Sequence, residues 1–330
     1  MSAATTQPAV QAGRATAGPM RRMLSAIDWR RDVIYAGFVI VFIVFAIVLG
    51  NQGFMSSTNL LNILRQASIV AVIAVGMTFV IAAAEIDLSV GSVAGLASIT
   101  AAIAISHLGT IPGVIAGLAV GALVGSINGA LVAYGRIPSF LVTLAMMGIA
   151  AGIAQWVTHS APQPILDSTF NTVFGSGNVG ALPGLVIWMA LAVAIGAVVL
   201  RKARFGRQVL ATGANRVAAE YSGVKTARIT FRVMLVASVA AALAGMLYAG
   251  RLHSGRFQWG AGDEMNAIAA VILGGTALSG GRGSVIGTLF GALLMALINN
   301  GLILAGLDSS QQQVVRGVII VLAVALARKK

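Results

Sequence analysis

The sequence contains no cysteine. This excludes disulfides, thiolate metal sites and cysteine nucleophiles, and says little about compartment, because a bundle held in lipid needs no covalent staples. Charge is nearly as scarce: 9% of the 330 residues are charged, against about 25% in soluble domains. A chain with so little polar surface cannot cover itself in water. Acidic residues are rarest, at nine against 22 lysines and arginines, a net charge of +13. In a soluble protein that balance would suggest nucleic acid. Here the cations are confined to loops and no aromatic-interleaved basic patch offers a base-stacking surface, so nucleic acid is excluded as a partner and the excess is read as membrane topology. Catalytic signatures are missing too: G-x-S-x-G, H-E-x-x-H and GxxxxGK[ST] do not occur. The three histidines, His107, His159 and His253, are scattered near span ends and form no metal site, and nothing implies a cofactor.

What remains is apolar. Hydrophobic residues make up 58% of the chain and the mean hydropathy is +0.92. Residues 1–19 are small and polar, with Pro8 and Pro19, and read as a disordered tail. A basic run follows (Arg21, Arg22, Arg30 and Arg31), then an apolar stretch from Val33 to Gly50. That stretch is long and lacks a small-x-small cleavage site, so it is read as a retained first span rather than a secretory signal. Nine more spans are expected at roughly 66–84, 89–106, 112–133, 140–157, 183–200, 229–249, 265–279, 285–305 and 311–327. The predicted fold is all-α: a polytopic membrane bundle of about ten helices in lipid. A basic tail, 1–32, precedes a single transmembrane domain, 33–330.

Ten spans place both termini on one side, and the cations test this. Eighteen fall on the predicted cytoplasmic side: Arg14, Arg21, Arg22, Arg30, Arg31, Arg136, Arg201, Lys202, Arg204, Arg207, Arg216, Lys225, Arg228, Arg232, Arg282, Arg328, Lys329 and Lys330. Four fall on the other: Arg65, Arg251, Arg256 and Arg316. Adding or dropping one span scrambles this split, so count and orientation support each other. The longest cytoplasmic loop, 201–228, contains a short predicted helix from Asn215 to Tyr221 with Gly223 as its stop.

Forty glycines are present. Gly117, Gly121, Gly125 and Gly129 recur every four residues, and Gly91/Gly95, Gly148/Gly152 and Gly287/Gly291 repeat the spacing. Such pairs share a helix face and make a flat groove for another backbone, which serves close packing or a sliding contact. Asn128, Thr143, Asn299 and Asn300 are polar residues inside apolar spans, read either as interhelical hydrogen bonds or as the lining of a path for a neutral, hydroxyl-rich solute. Glu85 and Asp87 interrupt an apolar run. A carboxylate at the bilayer centre costs about 3 kcal/mol or more, so the pair is placed at the inner interface. There Asp87 or Ser89 caps the next helix, or the pair contacts a cytoplasmic partner or takes part in gating. LSGGRG, 278–283, looks like an ATPase signature but is read as a glycine turn, because no Walker lysine accompanies it.

Four blocks carry a resemblance: GMTFVIAAAEIDLSVGS (76–92), GRIPSFLVTLAMMGIAAGIA (135–154), FGRQVLATGANRVAAEYSGV (205–224) and IAAVILGGTALSGGRGSVIGTLFGALLMALINNGL (268–302). Together they resemble the carbohydrate-type permease subunit of bacterial ATP-binding cassette importers, as in the ribose, xylose and autoinducer-2 systems. The resemblance implies a transport subunit of the cell inner membrane rather than an enzyme. It also implies a second permease copy or paralogue, cytoplasmic ATPase subunits, and a periplasmic solute-binding protein. Gly213, Asn215, Ala218, Ala219, Ser222 and Gly223 match the family's ATPase-coupling segment. The family's first block usually reads Gly-Gly-Ile-Asp-Leu-Ser, whereas Ala84 and Glu85 precede Ile86 here. Arg65, Arg251 and Arg256 are candidates for docking the binding protein, or are simply solvated. A branched-chain amino acid permease and a stand-alone secondary carrier are the alternatives.

Overall fold

The computed structural model describes residues 29–328. Among these the chain forms thirteen α-helices: α1 Trp29–Val48, α2 Ser57–Ala82, α3 Val90–Leu108, α4 Thr110–Ala133, α5 Ser139–Thr158, α6 Ser168–Asn171, α7 Gly184–Lys202, α8 Arg204–Ala214, α9 Arg216–Tyr221, α10 Thr226–Leu252, α11 Asp263–Leu273, α12 Val285–Leu304 and α13 Ser309–Arg328. Two antiparallel ladders of two-residue strands complete it: β1 Gln163–Pro164 with β4 Ser254–Gly255, and β2 Asn178–Val179 with β3 Leu182–Pro183. Seven helices (α2, α3, α4, α5, α7, α10 and α12) are long and apolar enough to cross a membrane. The expected tail lies almost wholly outside the described residues, as do Arg14, Arg21, Arg22, Lys329 and Lys330. Arg30 and Arg31 belong to the first turns of α1, which begins before the expected Val33.

Local chemistry sets the boundaries. Ser56 caps α2 by accepting from the Asn59 amide at 3.3 Å, and Ser284 caps α12 by accepting from the Gly287 amide at 3.0 Å. Gly109, at φ +90°, separates α3 from α4, and His159, at +50°, ends α5.

Helix α2 runs through the middle, and every residue from Ala67 to Ala83 is buried. This is why its sequence is apolar all round rather than on one stripe. Helices α7, α10, α11 and α12 surround it. A hydroxyl pair, Thr78 with Thr288 at 2.9 Å, pins α2 to α12 inside the core.

The expected span at 265–279 differs from the others. Helix α11 has 11 residues, about 16 Å of helix, half a hydrocarbon core of about 30 Å. The chain leading to it is re-entrant. Between α10 and α11 the backbone runs along α3: a Cβ on Gly255 would lie 2.9 Å from the Ala102 Cβ, one on Gly95 would lie 2.4 Å from the Phe257 carbonyl, and one on Gly91 would lie 2.4 Å from the Gly260 carbonyl. The descent from Ala102 to Gly91 covers about 16 Å. Non-helical backbone is tolerated at such depth only when packed in protein, and the bare faces of Gly91 and Gly95 provide that packing. Hydropathy alone does not separate such a half-helix from a full span.

The connections sort to two ends. Those after α2, α4, α7 to α9 and α11 gather at one. There the Gly281 amide donates to the Ala82 carbonyl at 3.0 Å, and the glycine turn carries Gly280 and Gly281 at φ +80° and +77°. At the opposite end the Ile165 amide donates to the His253 carbonyl at 2.9 Å, and the Thr110 hydroxyl donates to Asp167 at 2.5 Å. Arg136, Arg201, Lys202, Arg204, Arg207, Arg216, Lys225, Arg228 and Arg282 lie at the first end. Arg251 and Arg256 lie at the second, with Arg65 and Arg316 two turns inside α2 and α13 from it.

Candidate functional site

The basic loop folds into two helices joined by one residue. Asn215, at φ −160° and ψ 104°, is both the C-cap of α8 and the N-cap of α9, and its side chain accepts from the Ala218 amide at 2.9 Å. The Ser222 hydroxyl donates back to the Ala218 carbonyl at 2.9 Å, and Gly223, at φ +81°, turns the chain out. This is the expected helix within one residue; α8 before it was not expected. Ala218 is exposed and Ala219 is buried. Gly213 faces the bundle, because a Cβ there would lie 2.0 Å from the Ala82 carbonyl and 2.7 Å from the Gly281 amide. The outward surface of α9 is instead Val217 and Tyr221, 61% and 91% exposed. Neither is distinguished in the sequence, where the exposure of an apolar residue on a six-residue helix leaves no periodic signal.

The linker between α2 and α3 forms a polar cluster. Ala84 adopts φ +62° and occupies the position where the resembling family has glycine. The Ile86 amide donates to the Ser139 hydroxyl at 3.2 Å, and the Thr143 hydroxyl, 2.8 Å from the Ser139 carbonyl, reaches the Ile86 carbonyl at 3.4 Å. One oxygen of Asp87 accepts from both the amide and the hydroxyl of Ser89, at 2.9 and 2.6 Å, and Asn128 donates to the same hydroxyl at 3.0 Å. Asp87, Ser89, Asn128 and Thr143 are all fully buried. Asp87 is thus wholly enclosed by protein, and the two bonds from Ser89 offset part of the desolvation. Its second oxygen and the Asn128 carbonyl have no partner among the described residues. Glu85 points the other way and pairs with Arg216 of α9 at 3.4 Å.

The structure therefore brings Asp87, Asn128 and Thr143 together, and Asn299 and Asn300 lie elsewhere. Asn300 and Asn59 exchange amide hydrogen bonds of 2.8 and 3.0 Å, tying α12 to the start of α2. Asn299 is buried, and its carbonyl has no partner among the described residues. A further buried group, missed from sequence, meets at the start of α11: Tyr248 donates to Asp263 at 2.7 Å, and Asn266 donates to the same carboxylate at 3.1 Å.

At the second end, Arg256 is exposed and lies 5.4 Å from the centre of the Trp259 ring. Arg65 and Arg251 are half-buried, and Arg65 donates to Asn62 at 3.2 Å. A pocket of about 350 Å³ opens there, lined by Ile165, Leu166, Asn171, Ser176 and His253. The Asp167 carboxyl, accepting from the Thr110 hydroxyl and the Phe170 amide, is held below the usual carboxylate range.

These features define a multi-pass helical membrane protein with a capped helical projection at one end and buried polar joints inside. Residues 59–324 match the family described as branched-chain amino acid transport system / permease component. The chain is 42% identical to the ribose import permease protein of Bacillus subtilis, over 90% of this chain and 92% of that one. It is 39% identical to the ribose import permease protein of Escherichia coli K12, over 85% and 88%, and 35% identical to the galactose/methyl galactoside import permease protein of the same strain, over 89% and 95%. No solved structure matches. The chain belongs to this permease family and is a transport component.

Proposed function

We propose that the chain is the membrane-spanning permease subunit of an ATP-binding cassette importer that carries a monosaccharide across the inner membrane. The observation that carries this reading is the α8–Asn215–α9 projection. It is a short, doubly capped helix with Val217 and Tyr221 outward, at the end of the bundle that holds most of the cations. The positive-inside rule makes that end cytoplasmic, with both termini on the same side. Cytoplasmic ATPase subunits dock there; Asn215, Ala218, Ser222 and Gly223 shape the docking helix, while Gly213 and Ala219 seat it on the bundle. A periplasmic binding protein docks at the opposite end, where Arg256 is the exposed cation. A second permease, identical or related, completes the path.

A sugar is favoured over an amino acid despite the family's description. The three relatives named above are ribose and galactose permeases. The test is ATP-dependent uptake by the full importer in proteoliposomes, with a thermal-shift ligand screen on the cognate binding protein. Stabilisation by aldoses and ATP-dependent sugar uptake are expected. Stabilisation by leucine or isoleucine overturns the sugar assignment, and uptake by the permease alone under an ion gradient overturns the importer.

A further inference from the structure

A cleft of about 490 Å³ separates α9 from the α4–α5 loop, lined by Glu85, Arg136, Pro138, Arg216, Val217 and Glu220. Space of that size leaves α9 free to move against the loop unless something crosses it. Glu85 does: its carboxylate is 12% exposed and lies 3.4 Å from the Arg216 guanidinium, which is itself 44% exposed. Arg216 also reaches Glu220 one turn on, at 3.9 Å. Behind Glu85 the linker is fixed to two other helices. Ile86 is held to α5 by Ser139 and Thr143, and the Asp87–Ser89 turn is held to α4 by Asn128.

We propose that Glu85 and Arg216 form a charge tether that passes displacement of α9 to the α2–α3 linker, and through it to α4 and α5. The proposal rests on the importer reading and makes Glu85 a positioning residue for transport. The two anchors behind Glu85 differ in kind from the tether. They are hydrogen bonds of buried or partly buried groups, the Asn128–Ser89 bond wholly buried, whereas the Arg216 side of the ion pair is 44% exposed and open to exchange. Motion entering at Arg216 therefore meets a yielding link first and stiff links afterwards.

The experiment uses the reconstituted importer with its ATPase and binding protein, and reads ATP hydrolysed per solute imported. Glu85→Gln is expected to raise that ratio about three- to tenfold with the amount of co-purified ATPase unchanged. The charge swap Glu85→Arg with Arg216→Glu is expected to restore most of it, and Glu85→Asp to behave between the two. Arg136→Gln, which changes the other cation of the cleft, is expected to leave the ratio within twofold of wild type. A wild-type ratio in Glu85→Gln, or a swap no better than its worse single variant, overturns the tether. An effect of Arg136→Gln as large as that of Glu85→Gln does so as well. If wild-type importer shows no ATP-dependent uptake, the importer reading falls and the tether falls with it; if only the variants fail to differ, the tether alone is lost.

Discussion

Along α4, Gly117, Gly121, Gly125 and Gly129 lie against α10, where added Cβ atoms would come within 2.5 to 3.0 Å of Met246, Ala242, Leu235 and Phe231. On α5, Gly148 and Gly152 have the same spacing and nothing within 4 Å. One motif thus serves two situations, a closed helix contact and an open face. In lipid, where apolar side chains gain nothing by leaving water, close backbone approach is a main source of helix association. The α4 row uses that source fully. The α5 pair does not use it within this chain.

The largest expected effect comes from closing the gap on α4. Gly125→Val places a branched side chain where a Cβ alone would already sit 2.8 Å from the Leu235 Cα, and overpacking of this kind costs about 1–3 kcal/mol. Melting in detergent should fall by several degrees, and an unchanged melting temperature breaks the contrast. Ala84→Gly tests conformation instead of space. The left-handed backbone at φ +62° costs alanine about 1 kcal/mol relative to glycine, so the variant should melt higher. Gly152→Ala should change stability by at most about 0.5–1 kcal/mol, toward greater stability, because alanine favours helix and meets no neighbour. A loss instead shows that the face is already occupied.

Charge gives the smallest effect. Because the folded Asp167 carboxyl is held below its unfolded value of about 3.9, its contribution is present above that pH. It is lost as pH falls through the lower folded value. The difference in melting temperature between wild type and Asp167→Ala should therefore narrow between pH 7 and pH 3, and a constant difference refutes the link.

Much of this was legible in the sequence. Ten helices occupy the ten apolar segments, because composition and length are properties of a contiguous stretch. The short helix α9 and its Gly223 exit were legible for the same reason. The α4 glycine row was visible as spacing, although spacing did not say which row is covered. The linker cluster was not legible as a unit. Asp87, Ser89, Asn128, Ser139 and Thr143 come from two helices and a loop, and no periodicity joins them. The half-helix α11 was read as a span because re-entry depends on contacts with α3, which hydropathy does not record. Ala84 gave no sign of its backbone conformation apart from the family's glycine at that position.

The single residue between α8 and α9 has a mechanical consequence. Two helices joined by a flexible loop behave like levers joined by a rope: the first part of any movement is spent taking up slack. Helices that share Asn215 as their common cap behave like levers on one pin, with only its two backbone dihedrals to give. A shift of α9 relative to α8, which packs through Gly213 against the end of α2, has only those two dihedrals in which to be absorbed.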